Sequence, residues 1–185
     1  MASVLVPLAP GCEEIEAVTV IDILRRAGIE VTTAGLASGA VRASRGTVLL
    51  PDVTLDEALK KDYDMVVLPG GMPGSEHLNN DSRVIALLQR MAAAGKFVTA
   101  ICAAPMALHA AGVLHNKRAT SYPGVLDELP GSHVYLEDAV VVDGNIATSR
   151  GPGTAMDFAL TLVELLAGKA KRDAVEAQLQ RPKTH

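Results

Sequence analysis

The sequence predicts an α/β fold in which helices cover both faces of a mostly parallel sheet. Short apolar runs alternate with segments whose apolar residues recur at helical spacing, which is typical of β-α-β units and a parallel sheet. The chain has 185 residues and is 49% hydrophobic, enough for one packed domain. No internal repeat or linker interrupts the pattern. We therefore assign 1–185 to a single domain, with a loose tail at 181–185.

Each predicted element follows from a local pattern of apolar and turn residues. Strands are predicted where apolar or Val- and Thr-rich runs are bounded by Gly or Pro. A first helix is predicted at 13–27, because acidic residues in its first turn and arginines in its last turn match the helix dipole. The predicted strands are 3–9, 30–36, 64–68, 97–101, 119–122, 134–138 and 139–148, the last as a pair that turns at 143–144, with a small β-ribbon at 41–50. The predicted helices are 13–27, 55–59, 82–94, a helix starting just after Cys102, 152–166 and 173–180.

Composition narrows the classes of function. Aromatic residues are only 3% and the net charge is 17 − 21 = −4, which disfavours binding to nucleic acid. Two cysteines cannot build a disulfide framework, so a reducing compartment is expected. The N-terminus reads as a strand rather than a signal peptide, and no apolar run reaches membrane-spanning length. We therefore expect a cytoplasmic protein without a membrane partner.

Three chemically suggestive segments follow predicted strands: 11–16, Gly70-Gly71 and Cys102. In a doubly wound sheet, ligands bind beyond the carboxyl ends of the strands. Because these three segments occupy such ends, we expect them to meet on one rim. This convergence is the main argument from the residues for a functional site.

Cys102 is the candidate reactive centre. The segment 96–108 reads as a buried strand running into a helix, and the small neighbours Ala100 and Ala104 allow a sharp turn at the cysteine. A free cysteine is often only a buried core residue. Its position at a predicted helix N-terminus favours a thiolate instead, because such positions lower thiol pKa values.

The rim offers the thiol several partners, and spacing does not choose among them. Any of Glu13, Glu14 and Glu16 could meet it and, if partly buried, stay protonated and move a proton. The Gly70-Gly71 turn could present backbone N–H groups with that of Ala103 as an oxyanion hole, or be an ordinary tight turn.

Other candidates carry less weight. None of the histidines at positions 77, 109, 115, 133 and 185 neighbours Cys102 in sequence, and metal-ligand spacing is absent, so no metal or cofactor is expected. Cys12 is interpreted as a small loop residue, with a redox partner as the alternative. The segment 151–153 could bind an anion at a helix start, but Pro152 lacks an N–H and the segment is interpreted as structural.

At this point the chain resembles the ThiJ/PfpI superfamily, specifically its branch of parkinsonism-associated deglycases with bacterial YajL-type members. The resemblance covers nearly the whole chain, and its motifs, weak singly, are specific together. The matching stretches are Ala9-Pro-Gly-Cys-Glu-Glu-Ile-Glu-Ala17, Leu24-Arg-Arg-Ala-Gly-Ile29, Ser44-Arg45, Val67-Leu-Pro-Gly-Gly71, Ala100-Ile-Cys-Ala-Ala-Pro105 and Thr148-Ser-Arg-Gly-Pro-Gly-Thr154.

The resemblance implies a flavodoxin-like sandwich that forms a homodimer, with Cys102 as a reactive, readily oxidised cysteine. It selects Glu16 as the partner of the thiol. It implies that Gly71 and Ala103 supply the oxyanion N–H groups. Two arginines would lie at the dimer interface near the site, namely Arg26 and Arg45.

Two positions refine the resemblance. Ala103 stands where protease-type and chaperone-type relatives carry a histidine, which argues against a protease. Tyr122 stands where some relatives have a histidine near the cysteine, so a Cys–Glu site without a fixed histidine is expected. The names given to some relatives suggest thiamine biosynthesis or amidotransferase activity as a third possibility, and the missing histidine argues against glutamine hydrolysis.

Two hypotheses remain from the sequence. In the first, Cys102 and Glu16 convert methylglyoxal, or early glyoxal adducts on proteins, to hydroxy acids without a cofactor. In the second, Cys102 is oxidised to a sulfinate held by protonated Glu16, and the protein acts as a redox sensor or holdase chaperone. One reactive thiol could serve both.

Overall fold

A seven-stranded sheet forms the centre of the molecule in the computed structural model, which describes residues 1–182. The strands run in the order β10-β11-β7-β6-β1-β2-β5, and all pair in parallel except β10, which is antiparallel to β11. This confirms the predicted fold class. The sheet strands are β1 (Ser3–Leu8), β2 (Glu30–Gly35), β5 (Val53–Thr54), β6 (Met65–Leu68), β7 (Phe97–Ile101), β10 (Val140–Asp143) and β11 (Ile146–Ser149).

Two small ribbons lie outside the main sheet. β3 (Val41–Arg42) and β4 (Val48–Leu49) form the predicted antiparallel excursion after β2. β8 (Arg118–Ala119) and β9 (Val134–Tyr135) pair in parallel, where longer strands had been expected. The first ribbon places 44–47 beside the start of the first helix.

Helices cover both faces of the sheet. The helices are α1 (Glu14–Arg26), α2 (Leu55–Ala58), α3 (Gly74–Asn80), α4 (Ser82–Ala93), α5 (Pro105–Ala110), α6 (Ala155–Ala167) and α7 (Lys169–Gln178). Strand β1 shows why two layers form, because Val4 and Val6 belong to the core beneath α1 and α6, whereas Leu5 belongs to the core beneath α2, α4 and α5. Alternate side chains of a buried strand point to opposite faces, so each face needs its own helical cover.

Several predictions of secondary structure differ from the structure. Helix α3 and strand β5 were not predicted. Helix α3 is short and contains glycine, serine and two asparagines, which have modest helix propensity. Residues 152–154 form a 3₁₀ turn before α6, and α7 begins four residues before the predicted start. The helix expected directly after Cys102 begins only at Pro105.

Near the C-terminus, Arg181 donates to Asp157 of α6 at 2.6 Å and to Glu176 of α7 at 3.1 Å. Of the predicted loose tail at 181–185, positions 183–185 lie outside the described residues. Among residues 1–182, no helix is long and apolar enough to cross a membrane.

Candidate active site

The rim formed by the carboxyl ends of β1, β6 and β7 brings the three predicted segments together. Strands β7, β6 and β1 are consecutive in the sheet, so the loops that leave them are neighbours. The Glu13 N–H donates to the Gly70 carbonyl at 2.8 Å, which ties the first loop to the second. The fold rule that ligands bind at this edge therefore locates the candidate site.

Cys102 occupies a strained turn between β7 and α5. Its φ is 63°, in the left-handed region that residues other than glycine rarely adopt. The turn is fixed from two sides, because the Cys102 N–H donates to the Ser149 carbonyl at 2.9 Å and the Cys102 carbonyl accepts from the Tyr122 N–H at 2.8 Å. Since α5 has six residues and begins at Pro105, the expected placement of the thiol at a helix N-terminus is wrong; a strained turn presents it instead.

Glu16 lies in the first turn of α1 and is fully buried. Its Oε2 accepts a hydrogen bond of 2.7 Å from the Gly70 N–H. Its Oε1 is buried and has no hydrogen-bond partner among the described residues. Burial raises the pKa of the Glu16 carboxyl to about 7, even though the Gly70 N–H acts in the opposite direction. This carboxyl can therefore hold a proton near neutral pH.

The sulfur of Cys102 faces Glu16 and two backbone donors. While Glu16 is ionised, burial and the Glu16 charge raise the pKa of the Cys102 thiol to about 12, and hydrogen bonds from the Gly71 and Ala103 N–H groups act to lower it. The expectation of a thiol pKa lowered by a helix is therefore not met.

A proton on Glu16 changes this balance. It removes the carboxylate charge and gives the carboxyl an O–H that can donate to the sulfur. The two groups lose their protons as a pair. We assign the charge of the singly ionised pair to sulfur, because sulfur has two N–H donors and the carboxyl has one.

Glycines allow the carboxyl and the thiol to approach. A Cβ added at Gly70 would lie 2.5 Å from the Cys102 Cβ and 2.7 Å from the Glu16 Oε2, distances that real side chains do not tolerate. Gly71 has a φ of 89° and packs against the backbone of 11–13, so both its conformation and its surroundings require glycine. The Gly70-Gly71 turn is thus more than an ordinary tight turn.

The other two carboxylates of α1 have different surroundings. Glu14 accepts hydrogen bonds from the Arg45 and Thr47 N–H groups and from the Ser44 hydroxyl. Desolvation opposes them, but the N–H donors, including that of Glu14 itself, lower the pKa of Glu14 to about 2. Glu13 is 7% exposed and accepts from the Ser44 hydroxyl at 2.9 Å. Glu14 therefore fastens the β3–β4 ribbon to α1, while Glu13 lies beside the site.

A pocket of about 310 Å³ opens above the sulfur, and Cys102 is 8% exposed at its floor. It is lined by Glu13, Ser44, Arg45, Gly71, Met72, Cys102, Ala103, Tyr122 and Pro152. A pocket of similar size beside Tyr63 and Arg90 contains neither cysteine nor histidine. Sequence reasoning missed Met72 and named Glu13 only as one of three possible partners of the thiol, and no sequence signal distinguished either of them.

The remaining candidates differ in their position relative to this pocket. Arg26 pairs with Asp22 at 2.6 Å in the last turns of α1 and does not line it, whereas Arg45 does. Cys12 is fully buried, and burial, reinforced by the charge of Glu14, raises the pKa of its thiol to about 11. Within residues 1–182, no group of three or more His, Cys, Asp or Glu side chains is arranged to hold a metal ion.

Comparison with known proteins agrees with this geometry. The model of the DJ-1/PfpI family matches residues 2–165. The chain belongs to this family. The resemblance inferred from the motifs is thereby confirmed.

Three relatives represent the family. Protein dj-1beta of Drosophila melanogaster is 49% identical over 91% of both chains. The Parkinson disease protein 7 homolog of Danio rerio is 44% identical over 95% of both chains. The glutathione-independent glyoxalase DJR-1.2 of Caenorhabditis elegans is 37% identical over 94% of this chain and 93% of that protein. The crystal structure of the Drosophila DJ-1beta protein superposes with a TM-score of 0.94 over 98% of this chain and 99% of that one.

Proposed function

We propose that this member of the DJ-1/PfpI family is a cysteine-dependent glyoxalase that converts methylglyoxal, or early glyoxal adducts, to hydroxy acids. The observation that carries the proposal is the pairing of Cys102 with a buried carboxyl whose pKa is raised to about 7. A carboxyl near its pKa at neutral pH can both release and accept a proton, which this reaction requires. The worm glyoxalase among the relatives supports the same class of reaction.

The chemistry balances with these residues and water. The Cys102 thiolate adds to the aldehyde carbon of methylglyoxal, and the oxygen takes a proton to give a hemithioacetal. Glu16 removes the proton from that carbon and returns one to the neighbouring carbon, so that an enediol becomes a lactoyl thioester. Water then cleaves the C–S bond, which releases lactate and restores the thiol. The Gly71 and Ala103 N–H groups stabilise the developing oxyanion.

The test is lactate formation from methylglyoxal by the wild-type protein and by two variants. Cys102→Ser removes the nucleophile and Glu16→Gln removes the proton carrier, so each is expected to lower kcat/KM by at least about a hundredfold. Gly153→Ala is the control, because a Cβ there meets nothing within 4 Å. Full activity in Cys102→Ser would contradict the proposal.

A second candidate function, redox sensing, is favoured by the same donors. A sulfinate on Cys102 would accept hydrogen bonds from the Gly71 and Ala103 N–H groups and from a protonated Glu16. Cys12 is fully buried and lacks this environment. Mass spectrometry after mild peroxide should then find two added oxygens on Cys102. Oxidation divided equally between the two cysteines would contradict this role.

We also propose that two copies of the chain associate through α1 and the β3–β4 ribbon. Four apolar side chains on this face are strongly exposed: Ile15 (54%), Val18 (46%), Val48 (55%) and Leu50 (79%). Exposed apolar side chains clustered in this way are typical of an interaction surface. Arg45 lies between this face and the pocket, so a partner on the face would lie near the mouth of the pocket.

A further inference from the structure

Glu13 is a buried carboxylate at the reaction pocket that the mechanism above does not use. It is 7% exposed and lines the pocket with Cys102. A buried carboxylate normally has its oxygens satisfied by donors, because leaving them unpaired is costly. The donors around Glu13 therefore indicate what it can still bind.

Counting donors shows that Glu13 has fewer and weaker hydrogen bonds than Glu14. Ser44 Oγ lies 2.9 Å from Glu13 and 3.1 Å from Glu14, yet the hydroxyl has one proton for both. The other donor to Glu13 is the Ile15 N–H, at a long 3.5 Å. Glu14, by contrast, also accepts from the Arg45 and Thr47 N–H groups. Of these two adjacent carboxylates, Glu13 is the one with unused acceptor capacity, and it is the one that lines the pocket.

An acceptor at this position discriminates between the candidate substrates. Methylglyoxal in its dicarbonyl form has oxygen acceptors and no N–H or O–H, so it offers Glu13 nothing to bind. An aminocarbinol, the first adduct of methylglyoxal with an amine or guanidine, has both an N–H and an O–H on the reacting carbon. A site with an under-satisfied polar group disfavours ligands that lack the complementary group.

We propose that Glu13 makes the pocket selective for aminocarbinol adducts over the free dicarbonyl, a proposal that rests on the proposed function of the same pocket. The pocket has a volume of about 310 Å³, near the lower end of the roughly 300–1,000 Å³ found for pockets that bind drug-sized ligands. Such ligands are much larger than methylglyoxal, which has five non-hydrogen atoms. The pocket therefore has room for the larger adduct. In the reaction, the Cys102 thiolate forms a bond to the carbinol carbon, the C–N bond breaks, and the released nitrogen takes the proton held by Glu16. The resulting hemithioacetal is the one already described.

The first experiment compares two substrates in one enzyme. Lactate formation is measured at a fixed, directly quantified concentration of free methylglyoxal while the concentration of its adduct with Nα-acetyl-lysine is raised. Glu13→Gln is expected to lower the ratio of kcat/KM for adduct to kcat/KM for free methylglyoxal by about tenfold, the value of one charge-assisted hydrogen bond. Glu14→Gln, which removes the same charge one residue away, should leave the ratio within about twofold. Wild-type rates that follow only free methylglyoxal, or an unchanged ratio in Glu13→Gln, would overturn the selectivity.

A second measurement does not depend on turnover. Iodoacetamide offers an N–H group next to the carbon that Cys102 attacks, whereas iodoacetate offers a carboxylate. Glu13→Gln should lower the ratio of their alkylation rate constants at Cys102 by about tenfold, and Glu14→Gln should not. If no Cys102-dependent lactate forms, the proposed function fails, while this ratio still decides the role of Glu13. An unchanged ratio in a Glu13→Gln protein with wild-type thermal stability would overturn it.

Discussion

The Glu16 carboxyl and the Cys102 side chain both border the space that a side chain at Gly70 would occupy. A methyl group at Gly70 would stand 2.5 Å from the Cys102 Cβ and 2.7 Å from the Glu16 Oε2. The Gly70 N–H fixes Oε2 at 2.7 Å and leaves Oε1 without a partner among the described residues. This contact fixes the orientation of the carboxyl beside Cys102.

Gly70→Ala should therefore disrupt the site and the fold together. The added Cβ meets two side chains and also the Ile101 carbonyl at 2.9 Å, so the neighbours must move. We expect a loss of about 1–3 kcal/mol in the free energy of unfolding, measured by denaturant titration, and a large fall in kcat/KM. Gly153→Ala, which meets nothing within 4 Å, is the matched control and should be neutral or slightly stabilising. Equal stability of the two variants would contradict this account of Gly70.

Glu16 should make stability depend on pH. In the folded protein the Glu16–Cys102 pair loses its first proton at about pH 7, whichever atom then carries the charge, whereas unfolded Glu16 loses its proton near 4.5, so the contribution to stability is fully present below pH 4.5 and is lost as pH rises through 7. The loss relative to Glu16→Gln is on the order of 3 kcal/mol. Denaturant unfolding of both proteins from pH 4.5 to 8 measures it. A stability difference between them that stays constant over this range would contradict the raised pKa.

The proposed self-association predicts a specific sensitivity to charge. Val18→Glu places a carboxylate in the exposed apolar face of α1 and should convert a dimer to a monomer in sedimentation analysis, because an unpaired charge in an apolar interface is costly. Val134→Glu is the control, since Val134 is similarly exposed, at 52%, but lies on β9 away from this face. A wild-type protein that sediments as a monomer would contradict the proposed dimer.

Local sequence patterns were sufficient to predict much of the fold. The strand 97–101 and the helix 82–94 were predicted because their apolar residues recur with the periods of buried strands and amphipathic helices. Helix α3 was missed because its sequence, with one glycine and two asparagines, has no such period, and contacts with α4 and α5 stabilise it. Tertiary packing of this kind leaves little trace in a local pattern.

The site was less predictable than the fold. Turn geometry and small neighbours indicated Cys102, but the local pattern left three carboxylates equivalent. The family resemblance selected Glu16, and in the structure Glu16 is the one that accepts from the Gly70 N–H. The predicted direction of the thiol pKa shift was wrong, because a local pattern suggested a helix N-terminus, whereas burial beside Glu16 dominates. Both points depend on contacts between segments more than fifty residues apart.

The central claim is that the singly ionised pair keeps its proton on Glu16 and its charge on Cys102. The most direct test is the pH dependence of thiolate formation at Cys102, followed by thiolate absorbance and by the rate of alkylation, in the wild-type protein and in Glu16→Gln. If protonated Glu16 donates to the thiolate, its replacement by a weaker amide donor should raise the apparent thiol pKa, by about one unit. If Glu16 is instead ionised beside a neutral thiol, the same substitution removes a repelling charge, and a lower thiol pKa in Glu16→Gln would contradict the account.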